Sequence, residues 1–184
     1  MDLPDPARAA TLKTRARRAY EAGRLGAALR RSLWLAPVVA LAGLCCADPA
    51  GTIVCGVGLI AAVTFCLWRG ESFRRGIRPG LLAGFIPMLV PLVAQAGGHL
   101  CGADRCLLFP TLCILGGLAG GVALGLLAPR PREAHGVPLF VASLIAGLAG
   151  ATGCLLYGLI GLGGMAVGLL AGAVPVLATR AARG

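Results

Sequence analysis

Five apolar stretches divide the chain: Leu33–Ala47, Thr52–Trp68, Gly80–Ala96, Leu107–Ala128 and Val137–Thr179. None contains Asp, Glu, Lys, Arg or His. A helix on a soluble core alternates apolar and polar faces, whereas these runs are apolar all round, as helices in lipid are. The last stretch has 43 residues. As one straight helix it would be about 64 Å long at 1.5 Å per residue, against a hydrocarbon core about 30 Å thick. It must fold back, and the glycine-dense region Gly153–Gly164 is the expected turn.

The pattern therefore predicts an all-α, polytopic bundle of six short transmembrane helices at 33–47, 52–68, 80–96, 107–128, 137–156 and 158–178. The first is short of the ~17–25 residues that a span needs. It can borrow length from Arg30 and Arg31 snorkelling at its inner end, with Trp34 as an interfacial anchor. A hairpin of the first two segments dipping into the membrane is the alternative.

Residues 1–32 depart from this pattern, being polar and basic. Asp5-Pro6 reads as an N-cap followed by proline at the first helical position, starting a helix that runs to about Arg31. Its apolar positions, Ala9, Leu12, Ala16, Ala19 and Tyr20, recur at helical spacing but are mostly small. A secretory leader is not expected, because so long a basic segment exceeds an n-region. Leu41–Cys45 is no lipoprotein cleavage site either, since Leu44 stands where a small residue is wanted. The domain reading is a basic N-terminal segment over 1–32, a six-helix membrane domain over 33–179, and a tail over 180–184.

Composition agrees with the pattern. The chain is 58% hydrophobic and 13% charged, with a mean hydropathy of +0.86, where soluble domains carry about 25% charged residues. A net charge of +10 would suggest nucleic acid in a soluble protein. Here the charge sorts by topology. Sixteen of the 17 Lys and Arg fall in the N-terminal segment, the connections 69–79 and 129–136, or the C-terminal tail, and only Arg105 falls on the other side. The positive-inside rule then puts both termini in the cytoplasm. With neither a stacking platform nor a recognised basic fold, nucleic acid is excluded as a partner.

Gly117, Gly121 and Gly125 give the fourth span a flat stripe, and Gly164, Gly168 and Gly172 do the same for the sixth. Small residues four apart let backbones approach closely, within the chain or in a homo-oligomer. Pro37, Pro87, Pro91, Pro110 and Pro175 predict kinks inside spans, while Pro138 sits harmlessly at a helix start.

No span carries an ionisable side chain, which counts against proton relays, pumps and carriers of charged substrates. The polar side chains available, Gln95, Thr52, Thr64, Thr111, Ser143, Thr152 and Tyr157, look like hydrogen-bonding groups between helices. No Ser/His/Asp set, HExxH or phosphate-binding glycine loop is present. Neither enzymatic activity nor a cofactor is expected.

The eight cysteines are the informative feature. On the six-span topology Cys45, Cys46, Cys55, Cys101, Cys106, Cys113 and Cys154 fall toward the outer side, and Cys66 toward the cytoplasm. That outer side is the oxidising one. Cys101 and Cys106 share a loop with His99 and Asp104. Three readings stand: a small disulfide loop, a redox- or metal-sensing set, or inert thiols. Which metal would bind is left open by the spacing.

The segment Ala146-Gly-Leu-Ala-Gly-Ala-Thr-Gly-Cys154-Leu-Leu-Tyr157, the ending Val174-Pro-Val-Leu-Ala-Thr-Arg180 and the opening Cys106-Leu-Leu-Phe-Pro110 resemble a bacterial family of six-helix inner-membrane anti-sigma factors. The resemblance covers about the last 80 residues. It implies a multi-pass protein of the bacterial inner membrane, in which residues 1–31 hold a cytoplasmic sigma factor and outer cysteines sense oxidant or metal. Leu12, Arg15, Arg17, Arg18, Tyr20 and Arg24 would then contact the partner or the lipid surface. The competing readings are a small channel or transporter subunit and an accessory membrane protein with no activity of its own.

Overall fold

The computed structural model describes residues 6–45, 49–98, 109–128, 136–155 and 158–182. They form seven α-helices: α1 (Pro6–Ser32), α2 (Ala36–Cys45), α3 (Pro49–Arg69), α4 (Glu71–Gly98), α5 (Phe109–Leu127), α6 (Val137–Cys154) and α7 (Gly158–Ala182). A 3-10 turn at Leu33–Leu35 joins α1 to α2. Four helical stretches are long and apolar enough to cross a membrane: Ala10–Leu44, Pro49–Arg69, Val137–Cys154 and Leu159–Ala182. Thr111–Leu127 is apolar but shorter.

The break between α1 and α2 follows from Pro37. Proline has no N–H to give the carbonyl four residues back, which is that of Leu33, and its ring crowds that carbonyl. The chain tightens to 3-10 geometry there, and the Ala36 N–H bonds the Leu33 oxygen instead. By itself α2 spans only ten residues, about 15 Å. The turn keeps it running on from α1, so the first crossing draws on α1 for its length.

The segment 69–79, expected as a connection, is mostly helix. Only Gly70 separates α3 from α4, at φ 122°, a backbone conformation that favours glycine. Its carbonyl accepts the Arg74 N–H at 3.0 Å and starts α4 at once. Gly76 thereby becomes helical and joins Gly80 and Gly84 in a third stripe of small residues, at the same spacing as the two foreseen.

These stripes set the packing, and close contacts fix its direction. On α4, Gly76 abuts Pro138 and Val141, Gly80 lies 2.9 Å from the Ala142 Cα, and Gly84 lies 3.0 Å from the Ala146 Cα, measured from an ideal Cβ. The pairs advance together, so α4 and α6 are parallel. On α5, Gly117 abuts Met165, and Gly121 abuts Leu169 and Ala173, while Gly168 and Gly172 of α7 abut Ile114 and Leu118. These two helices are also parallel. Gly116 meets Pro87 and Gly120 meets Ala83, which makes α4 and α5 antiparallel. Helices with little side chain between them gain dispersion from backbone contact, the drive that operates where lipid is as apolar as the protein. Gly117, Gly121, Gly125, Gly168 and Gly172 thus serve contacts within the chain; Gly164 lies in α7 one turn before Gly168.

Alanines fill the middle of this four-helix unit: Ala83, Ala142, Ala146 and Ala173 surround Leu124. Larger side chains seal α3 against α4 and α6, with Leu59, Val63, Ile77, Val141 and Ile145 buried together. Where α1 meets α3, the Ser32 and Thr64 hydroxyls lie 2.6 Å apart. Each also reaches a carbonyl of its own helix, Leu29 at 2.9 Å and Ile60 at 2.7 Å. Among the described residues, no buried side-chain nitrogen or oxygen lacks a partner.

Candidate functional sites at the two ends of the bundle

At one end of the bundle the chain gathers its arginines. The last carbonyls of a helix have no N–H partner within it, and a cation there also meets the negative end of the helix dipole. Arg24 of α1 donates to the Trp68 carbonyl, at the end of α3, over 2.6 Å. Arg180 of α7 donates to the carbonyls of Gly125 at 2.6 Å, Leu126 at 3.1 Å and Ala128 at 3.0 Å, closing the end of α5. Both guanidiniums serve helix ends from other helices. The Arg24 side chain also stacks 5.8 Å from the Tyr20 ring, and Arg69 lies 5.4 Å from the Phe65 ring.

From Ala10 to Ala27, α1 is exposed throughout, and the first buried position after them is Ala28. Leu12 and Tyr20 are 59% and 66% exposed. Arg15, Arg17 and Arg18 are exposed as well, and Arg17 pairs with Glu21 at 3.0 Å along the same helix. Of the six residues expected to meet a partner or lipid, Leu12, Arg15, Arg17, Arg18 and Tyr20 are therefore presented to the surroundings. Arg24 is engaged with α3.

The opposite end carries thiols. Cys154, the last residue of α6, is fully buried and lies with Cys113 of α5 and Met165 of α7 in one cluster, with Ala151 as the remaining buried member. Cys55 of α3 packs against its edge. Cys113 and Cys154 are both among its fully buried members. All three of these cysteines are free, as is Cys66, which lies in the Leu59/Val63 core of α3 away from the cluster.

A backbone oxygen completes the site. Pro91 has no N–H to give the Pro87 carbonyl, so α4 leaves that oxygen without its helical donor. The Cys154 Sγ approaches it at 3.9 Å, the long range of a thiol donor. Pro87 itself supports the site from below, where an ideal Cβ on Gly150 would lie 3.1 Å from its ring and one on Gly116 3.2 Å from its Cα. The proline pair expected to kink the helix thus supplies a polar atom beside a buried cluster of cysteine, methionine and alanine.

The six-span topology puts Cys55, Cys113 and Cys154 on one side, but nothing in their spacing shows that they meet. Met165 and Pro87 are not legible as site residues either; the signal available is the proline pair four apart, which orphans a carbonyl. His99, Cys46, Cys101 and Cys106 lie outside the described residues, as does the side chain of Cys45. Among the described residues, no group of three or more His, Cys, Asp or Glu converges. The buried donor set at this end is two thiols, one thioether and one carbonyl, with a third thiol, Cys55, at its edge. No family model matches the chain, and no curated protein or solved structure matches it.

Proposed function

We propose that the chain is a non-enzymatic, multi-pass regulator of a bacterial inner membrane, which docks a cytoplasmic protein on α1 and responds through cysteines on the opposite side. In this reading six passes cross the bilayer, and both termini are cytoplasmic. The helices alternate in direction from α1–α2 through α7, and the part of α4 from Gly80 to Gly98 carries no ionisable residue, which supports its crossing too. The arginines at the Arg24 and Arg180 end support a cytoplasmic location for that end.

The observation that carries the reading is α1. A helix of 27 residues is held to the membrane domain at Arg24 and Ser32 and left open before them. An anchor needs only positive charge, worth about 1 kcal/mol per residue against an anionic leaflet. A docking helix also presents apolar side chains, and Leu12 and Tyr20 stand among arginines, a surface suited to an acidic protein partner. The resemblance to membrane anti-sigma factors gives that partner a class, a sigma factor. The absence of ionisable groups in the spans and the glycine-tight packing of α4 to α7 disfavour a pore.

The double change Leu12→Ser with Tyr20→Ser preserves every charge, so insertion and orientation should be unaltered. Crosslinking pull-downs from cells should lose a cytoplasmic partner that the parent protein retains. An identical partner profile at equal membrane abundance would reduce α1 to an anchor and refute the docking role.

A further inference from the structure

We infer that Cys113, Cys154 and Met165 form a binding site for a soft monovalent cation, of the Cu(I) or Ag(I) class. The inference deepens the regulator reading by naming the ligand of its cysteine end, and rests on that reading for its biological meaning.

Ligand type comes first. Two thiols and a thioether are soft donors, suited to Cu(I)-like ions, whereas Mg(II) and Ca(II) need oxygen cages. The three side chains come from three different helices and share one buried cluster. Two- and three-coordinate geometry is natural to monovalent coinage ions, so three ligands are enough. Structural zinc needs four, and the described residues offer no carboxylate or imidazole to complete such a set.

Charge is the second argument, and it discriminates further. Cys113 is 1% exposed and Cys154 0%, so a net charge placed there would be costly. Exchange of one thiol proton for one M(I) leaves the site neutral. The M–S bond forms, one S–H bond breaks, the proton goes to solvent, and no electron is transferred. The second thiol can keep its proton because the Pro87 carbonyl, orphaned by Pro91, is there to accept it from Cys154. Cys113 is then the thiolate ligand. A divalent ion would need both thiols deprotonated and would leave the carbonyl facing a bare thiolate.

Position is the third. Cys154 ends α6 and Cys113 lies in the first two turns of α5, so the site sits near one end of the bundle rather than at its middle. It also joins the two parallel pairs. Cys154 belongs to the α4–α6 pair, and Cys113 and Met165 to α5–α7. A bound ion would crosslink the pairs at this end.

The test uses full-length protein in lipid nanodiscs, with Cys45, Cys46, Cys66, Cys101 and Cys106 changed to serine so that only the described cluster and Cys55 remain. Silver(I) is the probe, because it is not redox-active under these conditions. The parent should retain about one Ag(I) per chain through desalting and release about one proton per ion in weak buffer. Adding Cys113→Ala and Cys154→Ala should abolish retention, and Met165→Leu, which conserves volume, should weaken it by roughly tenfold. Cys55→Ala should leave it unchanged. Thermal melts identify any variant that has lost its fold, and Met165→Leu keeps the test sharp if the double alanine has. Equal silver retention with and without Cys113 and Cys154, release of two protons per ion, or cadmium held as tightly as silver would each overturn the site. Because no partner protein is present, failure here leaves the α1 docking test untouched, and loss of docking in the Leu12/Tyr20 variant leaves silver binding untouched.

Discussion

Alanine at Gly121 should destabilise the bundle by about 1–3 kcal/mol, the range for overpacking a core that cannot yield. An ideal Cβ there lies 2.9 Å from the Ala173 nitrogen and 2.9 Å from the Leu169 carbonyl carbon, and closer still to the Leu169 oxygen, where ordinary contact is 3.4–4 Å. These are backbone atoms of α7, so no rotamer can relieve the clash. The helices must part by roughly 0.5–1 Å, and a gap of that size forfeits about a quarter to a half of each dispersion contact along the interface. The control is Gly163 of α7, with nothing within 4 Å of an ideal Cβ, where alanine gains helix propensity of roughly 1 kcal/mol without obstruction. Reversible unfolding of both variants in bicelles, read as free energy against the parent, separates the two effects. Gly121→Ala within about 0.5 kcal/mol of the parent, or Gly163→Ala as damaging as Gly121→Ala, would refute the claim that α5 and α7 meet backbone to backbone.

Arg180→Gln should cost about 1–2 kcal/mol by releasing three carbonyls at the end of α5, and Arg180→Lys should recover only part, since an ammonium lacks the guanidinium's fork; the same unfolding assay checks both. At the α1–α3 junction, a double-mutant cycle on Ser32→Ala and Thr64→Ala should give a coupling of about 0.6 kcal/mol, modest because each hydroxyl keeps a carbonyl on its own helix; additive effects would remove the link. Cysteines introduced at Ser72 and Ala134, in a background without native thiols, should be shielded from an impermeant reagent added outside cells, and one at Ala103 should react. Reaction at Ala134 with protection at Ala103 would invert the orientation. Changing Pro91 to alanine should restore a helical N–H to the Pro87 carbonyl and withdraw that acceptor from Cys154; the Cys154 S–H stretch in the infrared should shift to higher frequency, and an unmoved band would refute the contact.

Much of this protein is written in runs of residues, and the sequence by itself determined those features. Apolar stretches free of charge must be helical in lipid, because only a helix satisfies its own backbone there. Helix over most of residues 6–32 follows from local chemistry of the same kind, while the Asp5 cap lies outside the described residues. Stripes of glycine at a spacing of four announce close packing, since periodicity alone puts them on one face.

Other features depended on which surfaces meet, and only the tertiary structure decided them. Gly76, which with Gly80 and Gly84 completes a stripe on α4, is hidden in the sequence because four arginines make 69–79 look like a loop; a single left-handed Gly70 makes a longer turn unnecessary. Nothing in the spacing says that α5 pairs with α7 and α4 with α6, because every glycine face could accept every other. Arg24 and Arg180 read as surface charge until the ends of α3 and α5 arrive beside them. Cys113, Cys154 and Met165 are separated by 41 and 11 residues along the chain. They become a site only because α4, interrupted at Pro91, leaves the Pro87 oxygen free where α5, α6 and α7 converge. Local sequence fixes what each helix is, and contact between helices fixes what its side chains can do.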